Sequence, residues 1–345
     1  MATTMRPDAA VSLDTRYQRL LAILHGCGSV CVGYSGGVDS VFLATVAVDV
    51  LGADNVLAVT GLSPAYPAVQ RAMAADCAAR FGIPHAEIDT HELSDVNYTA
   101  NPANRCYYCK SELWPRLKRV AAERGLAAVL DGSNADDAGD YRPGFAAARE
   151  HGVLSPLLEA GLAKEEIRTL SLARGLPTWD QPSAPCLSSR LPYGVAVTPE
   201  RLGQVERAET ALRDLGYHEF RVRHHDDCAR VELAPAELPR AWIDAARIHH
   251  ALRRAGMARV LLDVEGYRRG ALNEALVHLG AGSSLAGTST VATPAARTED
   301  MPSFESAGFH GDIAVLHARP LPDAQAAAPR LRALGFRYVA VDACG

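Results

Sequence analysis

Three of the eight cysteines stand where thiol chemistry can be expected. Cys106 and Cys109 form a CxxC pattern, and Cys186 lies in a run rich in proline and serine. In a chain without an export signal, such spacing favours metal or redox chemistry over a disulfide framework. Structural zinc normally has four ligands, whereas three thiolates leave one iron of a four-iron cluster open. The alternative is that Cys106 and Cys109 are unligated and Cys186 acts alone.

A second motif, SGGVDS, begins at Ser35 between an apolar run and a helical pattern. A strand that turns tightly into a helix presents backbone N–H groups and the helix dipole to phosphate. Gly36 and Gly37 are expected to take positive φ and admit the anion closely. Ser35 and Ser40 can donate to phosphate oxygens, and Asp39 is placed to hold Mg²⁺. The motif matches the loop of enzymes that cleave ATP into AMP and pyrophosphate, so ATP is the expected co-substrate.

Arginines supply candidates for binding an anionic substrate. The guanidinium groups of Arg190, Arg221 and Arg223 suit carboxylate and phosphate groups. Arg221 and Arg223 alternate along a predicted strand, so they should point to one face. The alternative for each is an ordinary solvated arginine.

The segments that carry these residues alternate strands and helices. The pattern predicts strands near 29–34, 55–61, 85–89 and 127–131, with helices at 38–51, 67–81 and 110–124. Such alternation predicts an α/β fold with a parallel sheet and helices on both faces, with ligands at the carboxyl ends of the strands. The loop at Ser35 and the corner that contains Gly132 lie at two such ends, so Gly132 is assigned to nucleotide binding.

The remainder of the chain predicts a smaller α+β domain, a linker and a partial repeat. We expect an ATP-binding domain, a substrate and sulfur-transfer domain, a flexible linker and a repeat at 1–180, 181–277, 278–312 and 313–345. The linker is inferred from its Gly, Ser, Thr, Ala and Pro content. Ala314–Pro322 parallels Arg230–Pro239, and Leu331–Asp342 parallels Leu252–Asp263, which indicates partial duplication. We expect the repeat to pack against the second domain or a neighbouring subunit and to carry no chemistry.

Composition narrows the functional classes. A chain of 345 residues with 48% apolar content is long enough for about two domains with substantial cores. Its net charge of −5 provides no basic field, so the expected partner is a small molecule and neither nucleic acid nor a membrane. The first residues show no apolar leader pattern, and no apolar run approaches a membrane span. The expectation is a cytoplasmic enzyme.

Six motifs in order carry a resemblance to a known family. They are SGGVDS at 35–40, NRCYYCK at 104–110, DGSNADD at 131–137, GDYRPG at 139–144, PSAPCLSSR at 182–190 and PYG at 192–194. From about residue 15 to 276 the chain resembles the LarE family, ATP-dependent sulfur transferases of nickel-pincer cofactor synthesis. The resemblance implies a PP-loop fold, a homo-oligomer and a pyridinium mononucleotide substrate with two carboxylates. ATP would activate a carboxylate as an acyl adenylate, which is then converted to a thiocarboxylate. Glu209 and Glu232 resemble family positions near the site of sulfur transfer, although exposed carboxylates are the alternative.

The family contains two ways of supplying sulfur. In one, a cysteine at the position of Cys186 gives up its own sulfur and becomes dehydroalanine. In the other, three cysteines hold a [4Fe-4S] cluster whose open iron carries a sulfide. Because the chain has all three, the favoured hypothesis is a cluster on Cys106, Cys109 and Cys186, with sulfide or a sulfur-donor protein as a partner. Mg²⁺ would sit near Asp39, with Asp136 or Asp137.

Two further hypotheses remain, a second enzyme and a protein of another functional class. A tRNA thiolase uses the same ATP loop but needs a basic surface or an appended RNA-binding module, and the charge balance offers neither. A nonenzymatic nucleotide-binding protein stabilised by zinc would need a fourth ligand beside the three cysteines. The intact ATP loop also counts against this last hypothesis.

Overall fold

The computed structural model describes residues 7–139, 143–182, 185–268, 307–310, 312–316, 320–333 and 336–343. The chain divides into two compact units. The first contains residues 1–99 and 104–186, and the second contains residues 100–103 and 187–345. Among the residues that the structure describes, no helix has the length and apolar character needed to cross a membrane.

The first unit alternates strands and helices. Its strands are β1 (Val30–Gly33), β2 (Val56–Leu62), β3 (His85–Asp89) and β4 (Ala128–Leu130). Its helices are α1 (Pro7–Cys27), α2 (Val38–Leu51), α3 (Ala68–Arg80), α4 (Val96–Thr99), α5 (Arg105–Glu123), α6 (Gly144–Glu150), α7 (Pro156–Ala160) and α8 (Lys164–Ala173). All three strand pairings are parallel and give the order β3-β2-β1-β4. This confirms the predicted α/β fold.

Strand β1 shows why helices cover both faces of this sheet. Val30 and Val32 are fully buried in the cluster formed with α1, α2, α3 and α8. Cys31, between them, points to the opposite face and packs in the cluster formed with α5 and α6. Because successive side chains of a strand alternate in direction, a strand buried on both faces reads as a continuous apolar run.

Helix α5 begins earlier than the sequence predicted. The expected start was residue 110, whereas the helix starts at Arg105 and places Cys106 and Cys109 in its first turns. The CxxC pattern is therefore part of the helix and not of the preceding loop. Because residues three positions apart share one face of a helix, the two cysteines lie on the same face. Arg105, the first residue of the helix, is only 4% exposed, and its burial fixes the start of the helix.

In the part of the chain that the structure describes, the second unit is built around a six-stranded sheet. Its strands are β5 (Phe220–His225), β6 (Cys228–Leu233), β7 (Arg259–Asp263), β8 (Ala307–His310), β9 (Ile313–Leu316) and β10 (Tyr338–Asp342). Its helices are α9 (Pro199–Asp214), α10 (Leu238–Ile243), α11 (Ala245–Arg254) and α12 (Leu321–Ala333). The strand order is β5-β6-β7-β10-β9-β8. The last three strands therefore extend the sheet of the first three.

Two details of the second unit differ from the sequence predictions. Strand β8 at Ala307–His310 lies inside the range assigned to the linker. Cys228 pairs with Arg259 in the first half of the sheet, and Ile313 pairs with Tyr338 in the second half. Ile313 is therefore the counterpart of Cys228, which moves the predicted alignment of Ala314 by one position. A shift of one residue exchanges the two faces of a strand, so the observed strand pairing was needed to fix the alignment of the repeat.

Candidate active site

The turn between β1 and α2 has the geometry of an anion-binding loop. Gly36 adopts φ of 67°, and a Cβ there would lie 2.8 Å from the Cβ of Ala74. Gly37 has an extended backbone with φ of −81° and precedes α2 without a side-chain cap. The expectation of positive φ is thus confirmed for Gly36 and wrong for Gly37. Because no side chain caps α2, the N–H groups at its N-terminus are available to an anion.

The two serines of the loop contact each other. The Ser35 and Ser40 hydroxyl oxygens are 3.2 Å apart, and the Ser35 backbone N–H donates to the Ser40 oxygen over 3.2 Å. The Tyr66 hydroxyl and the Gln70 amide each donate to the Ser35 carbonyl over 3.0 Å. These bonds fix the backbone of the loop, so its hydroxyl groups are preorganised for an anion.

Gly132 lies against the start of α2. A Cβ at this position would be 3.1 Å from the Ser40 backbone nitrogen and 3.4 Å from the Asp39 Cβ. A larger residue would push against the first turn of the helix, so the close approach favours glycine here. The structure therefore brings Gly132 to the loop that begins at Ser35.

Asp39 forms an ion pair that sequence patterns did not reveal. The Lys164 Nζ donates to Asp39 Oδ2 over 2.6 Å from the first position of α8. Burial raises the pKa of Asp39, although the Lys164 charge opposes the shift. The other carboxylate oxygen, Oδ1, is buried and makes no hydrogen bond of normal geometry, although the Asn134 side chain lies close enough to lower the pKa of this carboxyl. Lys164 follows Asp39 by more than a hundred residues, and no local motif marks it.

The corner after β4 carries further oxygen groups. The Asn134 backbone N–H donates to Asp137 Oδ2, and the Lys164 backbone N–H donates to Asp136 Oδ2, both over 3.0 Å. The Asp137 charge also raises the pKa of Asp39, which places the two carboxylates within electrostatic reach. Mg²⁺ typically takes one or two protein carboxylates and completes its coordination with water and phosphate. The buried Oδ1 of Asp39 therefore fits a magnesium ion that arrives with ATP.

The three candidate cysteines all belong to the first unit. Cys106 is exposed, while Cys109 and Cys186 are partly buried. Burial is the main cause of a pKa of about 12 for the Cys109 thiol. The Lys110 charge lowers this pKa, whereas the charges of Cys186 and Cys106 raise it. Within the described ranges, no three His, Cys, Asp or Glu side chains converge into a ready-made metal site. The chemistry of the three thiols suits an iron–sulfur cluster, but their sulfur atoms are not gathered to ligating distance.

In the second unit, the three predicted arginines lie together and are buried. Arg190, Arg221 and Arg223 are 3%, 7% and 7% exposed. Burial lowers the pKa of Arg221, and the charges of Arg190 and Arg223 lower it further. This repulsion shows that the three guanidinium groups lie close together, and guanidinium groups suit carboxylate and phosphate ligands. The alternative of solvated surface arginines is wrong.

Buried carboxylates hold two of these arginines. Arg190 Nε and Nη2 donate to the two Glu209 oxygens over 2.8 and 3.1 Å. Arg223 Nε and Nη2 donate to Glu232 Oε2 over 3.0 and 2.8 Å. Glu209 and Glu232 are 4% and 1% exposed, so the alternative of exposed carboxylates is wrong. Both glutamates orient guanidinium groups.

The loop, the parallel sheet and the surrounding carboxylates define an ATP-using enzyme of the PP-loop class. Residues 21–122 match the NAD synthase family model. The chain is 37% identical over 265 residues to the pyridinium-3,5-bisthiocarboxylic acid mononucleotide synthase of Lactiplantibacillus plantarum, covering 77% of this chain and 96% of that protein. The chain belongs to the family of this synthase, the LarE family.

Two other relatives extend the comparison. An uncharacterized protein of Synechocystis is 44% identical over 266 residues, which are 76% of this chain and 99% of that protein. An uncharacterized protein of Methanocaldococcus jannaschii is 25% identical over 239 residues, covering 69% of this chain and 90% of that protein. In the first of these matches about a quarter of this chain has no counterpart.

Proposed function

We propose that the protein adenylates a carboxylate of a pyridinium-biscarboxylate mononucleotide and converts it to a thiocarboxylate for nickel-pincer cofactor synthesis. The observation that supports this most is the presence of the ATP loop and three cysteines in one unit. The L. plantarum relative is named a bisthiocarboxylic acid mononucleotide synthase, and a bisthiocarboxylate is a product of such chemistry.

The position of α5 supports a common location for the loop and the CxxC pair. A Cβ on Gly33, the last residue of β1, would lie 3.0 Å from the ring of Trp114. Helix α5 thus packs near the carboxyl end of β1. Because α5 follows β3 and leads back to the start of β4, its first turns lie at the carboxyl edge of the sheet. Cys106 and Cys109 therefore share that edge with the loop.

The first chemical step needs a carboxylate, ATP and magnesium. A substrate carboxylate oxygen attacks the α-phosphorus, and pyrophosphate leaves with the electrons of the broken P–O bond. Ser35, Ser40 and the α2 N-terminus would bind the phosphates, and Asp39 would hold Mg²⁺. Lys164 is placed to exchange its contact with Asp39 for a phosphate oxygen when magnesium reaches that carboxylate.

The second step is displacement of AMP by sulfur. A sulfur nucleophile attacks the activated acyl carbon, and AMP leaves with the electrons of the acyl–oxygen bond. Arg190, Arg221 and Arg223 would bind the anionic groups of the mononucleotide. Glu209, with both oxygens on Arg190, acts in this proposal by positioning that arginine.

The sulfur source distinguishes two versions of the proposal. Cys106, Cys109 and Cys186 would hold a [4Fe-4S] cluster, which when bound supplies an open iron that can carry an additional sulfide. The partly buried Cys109, with a pKa of about 12, is poorly suited to exist as a free thiolate and would gain from a metal partner. In the second version Cys186 gives up its own sulfur atom.

Iron, acid-labile sulfide and the visible spectrum of anaerobically purified protein test these versions. We expect about four irons per chain, lost in Cys106→Ala and retained in Cys27→Ala, whose thiol lies in α1. A colourless protein that loses one sulfur atom in mass after a single turnover would establish sacrificial Cys186. A colourless protein with stoichiometric zinc and no substrate-dependent pyrophosphate release would contradict the proposed enzyme.

A further inference from the structure

The sheet of the second unit consists of two halves with the same topology. In the first half, β5 and β6 form an antiparallel hairpin and β7 returns parallel to β6. In the second half, β8 and β9 form an antiparallel hairpin and β10 returns parallel to β9. The halves meet where β7 and β10 pair antiparallel. Each half thus repeats a hairpin, a helical connection and a parallel strand.

The hydrogen bonds at this junction follow a local two-fold symmetry. Val264 N–H donates to the Val339 carbonyl over 3.1 Å, and Ala343 N–H donates to the Val260 carbonyl over 3.0 Å. Val339 is the repeat counterpart of Val260, and Ala343 is that of Val264. Each bond is therefore the symmetry equivalent of the other. Leu262 pairs with Val341, its own counterpart, so the axis passes through this pair.

Equivalent surfaces that contact each other through a two-fold axis are the defining property of an isologous dimer interface. We propose that β7 is a self-association edge of this protein and that the C-terminal repeat closes it as a built-in second copy. The surface that would pair with β7 of another chain is occupied by β10 of the same chain. This inference does not depend on the sulfur chemistry.

The residues of the repeat suit a role in covering a sheet edge rather than in binding a ligand. By strand register, His310 corresponds to His225, but Gly308 stands where the first half has Arg223. Val315 similarly takes the place of Arg230. The repeat keeps the strand pairing but not these charges, so it is suited to cover a sheet edge and not to bind an anionic substrate.

The physical reason for covering β7 is that an open strand edge tends to pair with another chain. An uncovered strand exposes unpaired N–H and C=O groups to another chain. Val260 and Leu262 are almost completely buried here, so separation from β10 would also expose apolar surface. The match to the Synechocystis relative covers 99% of that protein but 76% of this chain, so this chain contains sequence that the relative lacks.

A single-cysteine reporter on the symmetry axis tests the proposal in the full chain. Leu262→Cys would face Val341 in the intact protein, but would face Leu262→Cys of a second copy if two β7 edges paired. Residues in a hydrogen-bonded antiparallel pair have Cα atoms about 5.5 Å apart, which is within disulfide range. All chains carry Cys106→Ser, which removes a native thiol that the structure shows to be exposed.

Val341→Pro opens the junction selectively. The alternation of the ladder makes Leu262 and Val341 a hydrogen-bonded pair, so the Val341 N–H points to β7 rather than to β9. Proline removes this donor and leaves the β9 pairing intact. Val341→Ala, which keeps the N–H, is the matched control. Ala343→Pro removes the hydrogen bond from the Ala343 N–H to the Val260 carbonyl at the end of the strand. This variant replaces Val341→Pro in the experiment if Val341→Pro fails to fold.

We expect the Leu262→Cys chain with Val341→Pro to give at least fivefold more covalent dimer on oxidation than the same chain with Val341→Ala. Its mass by sedimentation should double relative to the control. When Leu262 is restored, the covalent dimer should disappear while the doubled mass remains. A folded proline variant with unchanged mass and no crosslink would overturn the proposal. Equal crosslinking in the chain without proline would overturn it as well, because β7 would then already pair with another copy.

Discussion

At the level of single residues, Lys164 is the strongest addition that the structure makes to the proposed ATP site. Its Nζ lies 2.6 Å from Asp39 Oδ2, and burial raises the pKa of that carboxyl. We expect Lys164→Met to raise the KM for ATP about tenfold, equivalent to about 1.4 kcal/mol, and Lys164→Arg to restore part of the loss. Pyrophosphate release at varied ATP measures this.

The control for this substitution is Lys118→Met. Lys118 is exposed on α5, so its replacement should leave the KM for ATP unchanged. If Lys164→Met also left that KM unchanged while lowering stability, Lys164 would only neutralise buried Asp39 and would not contact phosphate.

Cys109 provides a second prediction at this level. Burial raises the pKa of its thiol to about 12, so the reactive thiolate fraction at pH 8 is about one in ten thousand. In metal-free protein, exposed Cys106 should be alkylated first. The alkylation rate of Cys109 should rise about tenfold per pH unit between pH 8 and 11, because the thiolate fraction does. Peptide mass spectrometry measures both rates, and equal rates at pH 8 would contradict the assignment.

At the level of elements, the turn between β1 and α2 depends on one glycine more than on the other. Gly36 has positive φ, and a Cβ would approach Ala74 to 2.8 Å. Gly36→Ala should therefore cost about 2 kcal/mol in the free energy of unfolding. Gly37→Ala is the matched control, since its Cβ would meet only Ser35 Oγ at an ordinary 3.5 Å. Urea unfolding of both variants checks the difference, and equal losses would refute it.

The buried charges on β5 and β6 make the sheet sensitive to acid. Burial raises the pKa of Glu232, but Arg230 and Arg223 outweigh it and hold the pKa below its ordinary value of 4.5. Because the folded-state pKa is depressed, the stabilisation is present above pH 4.5 and is lost as the pH falls through the folded-state value. We expect Glu232→Gln to cost about 3 kcal/mol at pH 7.

Unfolding of Glu232→Gln at several pH values tests this linkage. The difference from the parent protein should narrow as the pH falls below 4.5. Asp214→Asn, at an exposed position of α9, should show no comparable loss at pH 7. A difference for Glu232→Gln that does not change with pH would mean that packing, and not ionisation, causes it.

At the level of the whole molecule, the repeat touches the charged groups of the first half of its sheet. The Arg230 guanidinium lies 3.6 Å from the centre of the Tyr338 ring, and Arg230 also pairs with Glu232 and Asp263. Glu232 in turn holds Arg223. Tyr338→Leu should therefore raise the KM for the mononucleotide several-fold and leave the KM for ATP unchanged, because a cation–π contact is worth about 1 kcal/mol.

Tyr338→Phe keeps the aromatic ring and is the control for that prediction. It should retain most of the affinity for the mononucleotide. Steady-state kinetics with each substrate varied in turn separates the two KM values. An equal rise in both KM values, or an equal loss with phenylalanine, would show a general effect on folding instead of a role in positioning Arg230.

Local sequence determined the features whose physics is local. Alternating apolar segments were sufficient to predict the parallel sheet, and the SGGVDS motif was sufficient to locate the tight turn between β1 and α2, because strand, turn and helix preferences act over few residues. The candidate cysteines and arginines were likewise found from residue type and spacing. The family resemblance of the six motifs was confirmed by the match to the L. plantarum synthase.

Only the tertiary structure decided how distant residues are used. The Lys164–Asp39 pair joins two helices far apart in sequence, and no periodic pattern encodes such a contact. Burial of Arg190 with Glu209 could not be predicted, because charged residues are usually exposed unless a partner covers them. The one-residue shift of the repeat was settled by strand pairing alone. Long-range contacts depend on how elements pack, and that information is spread over the whole chain.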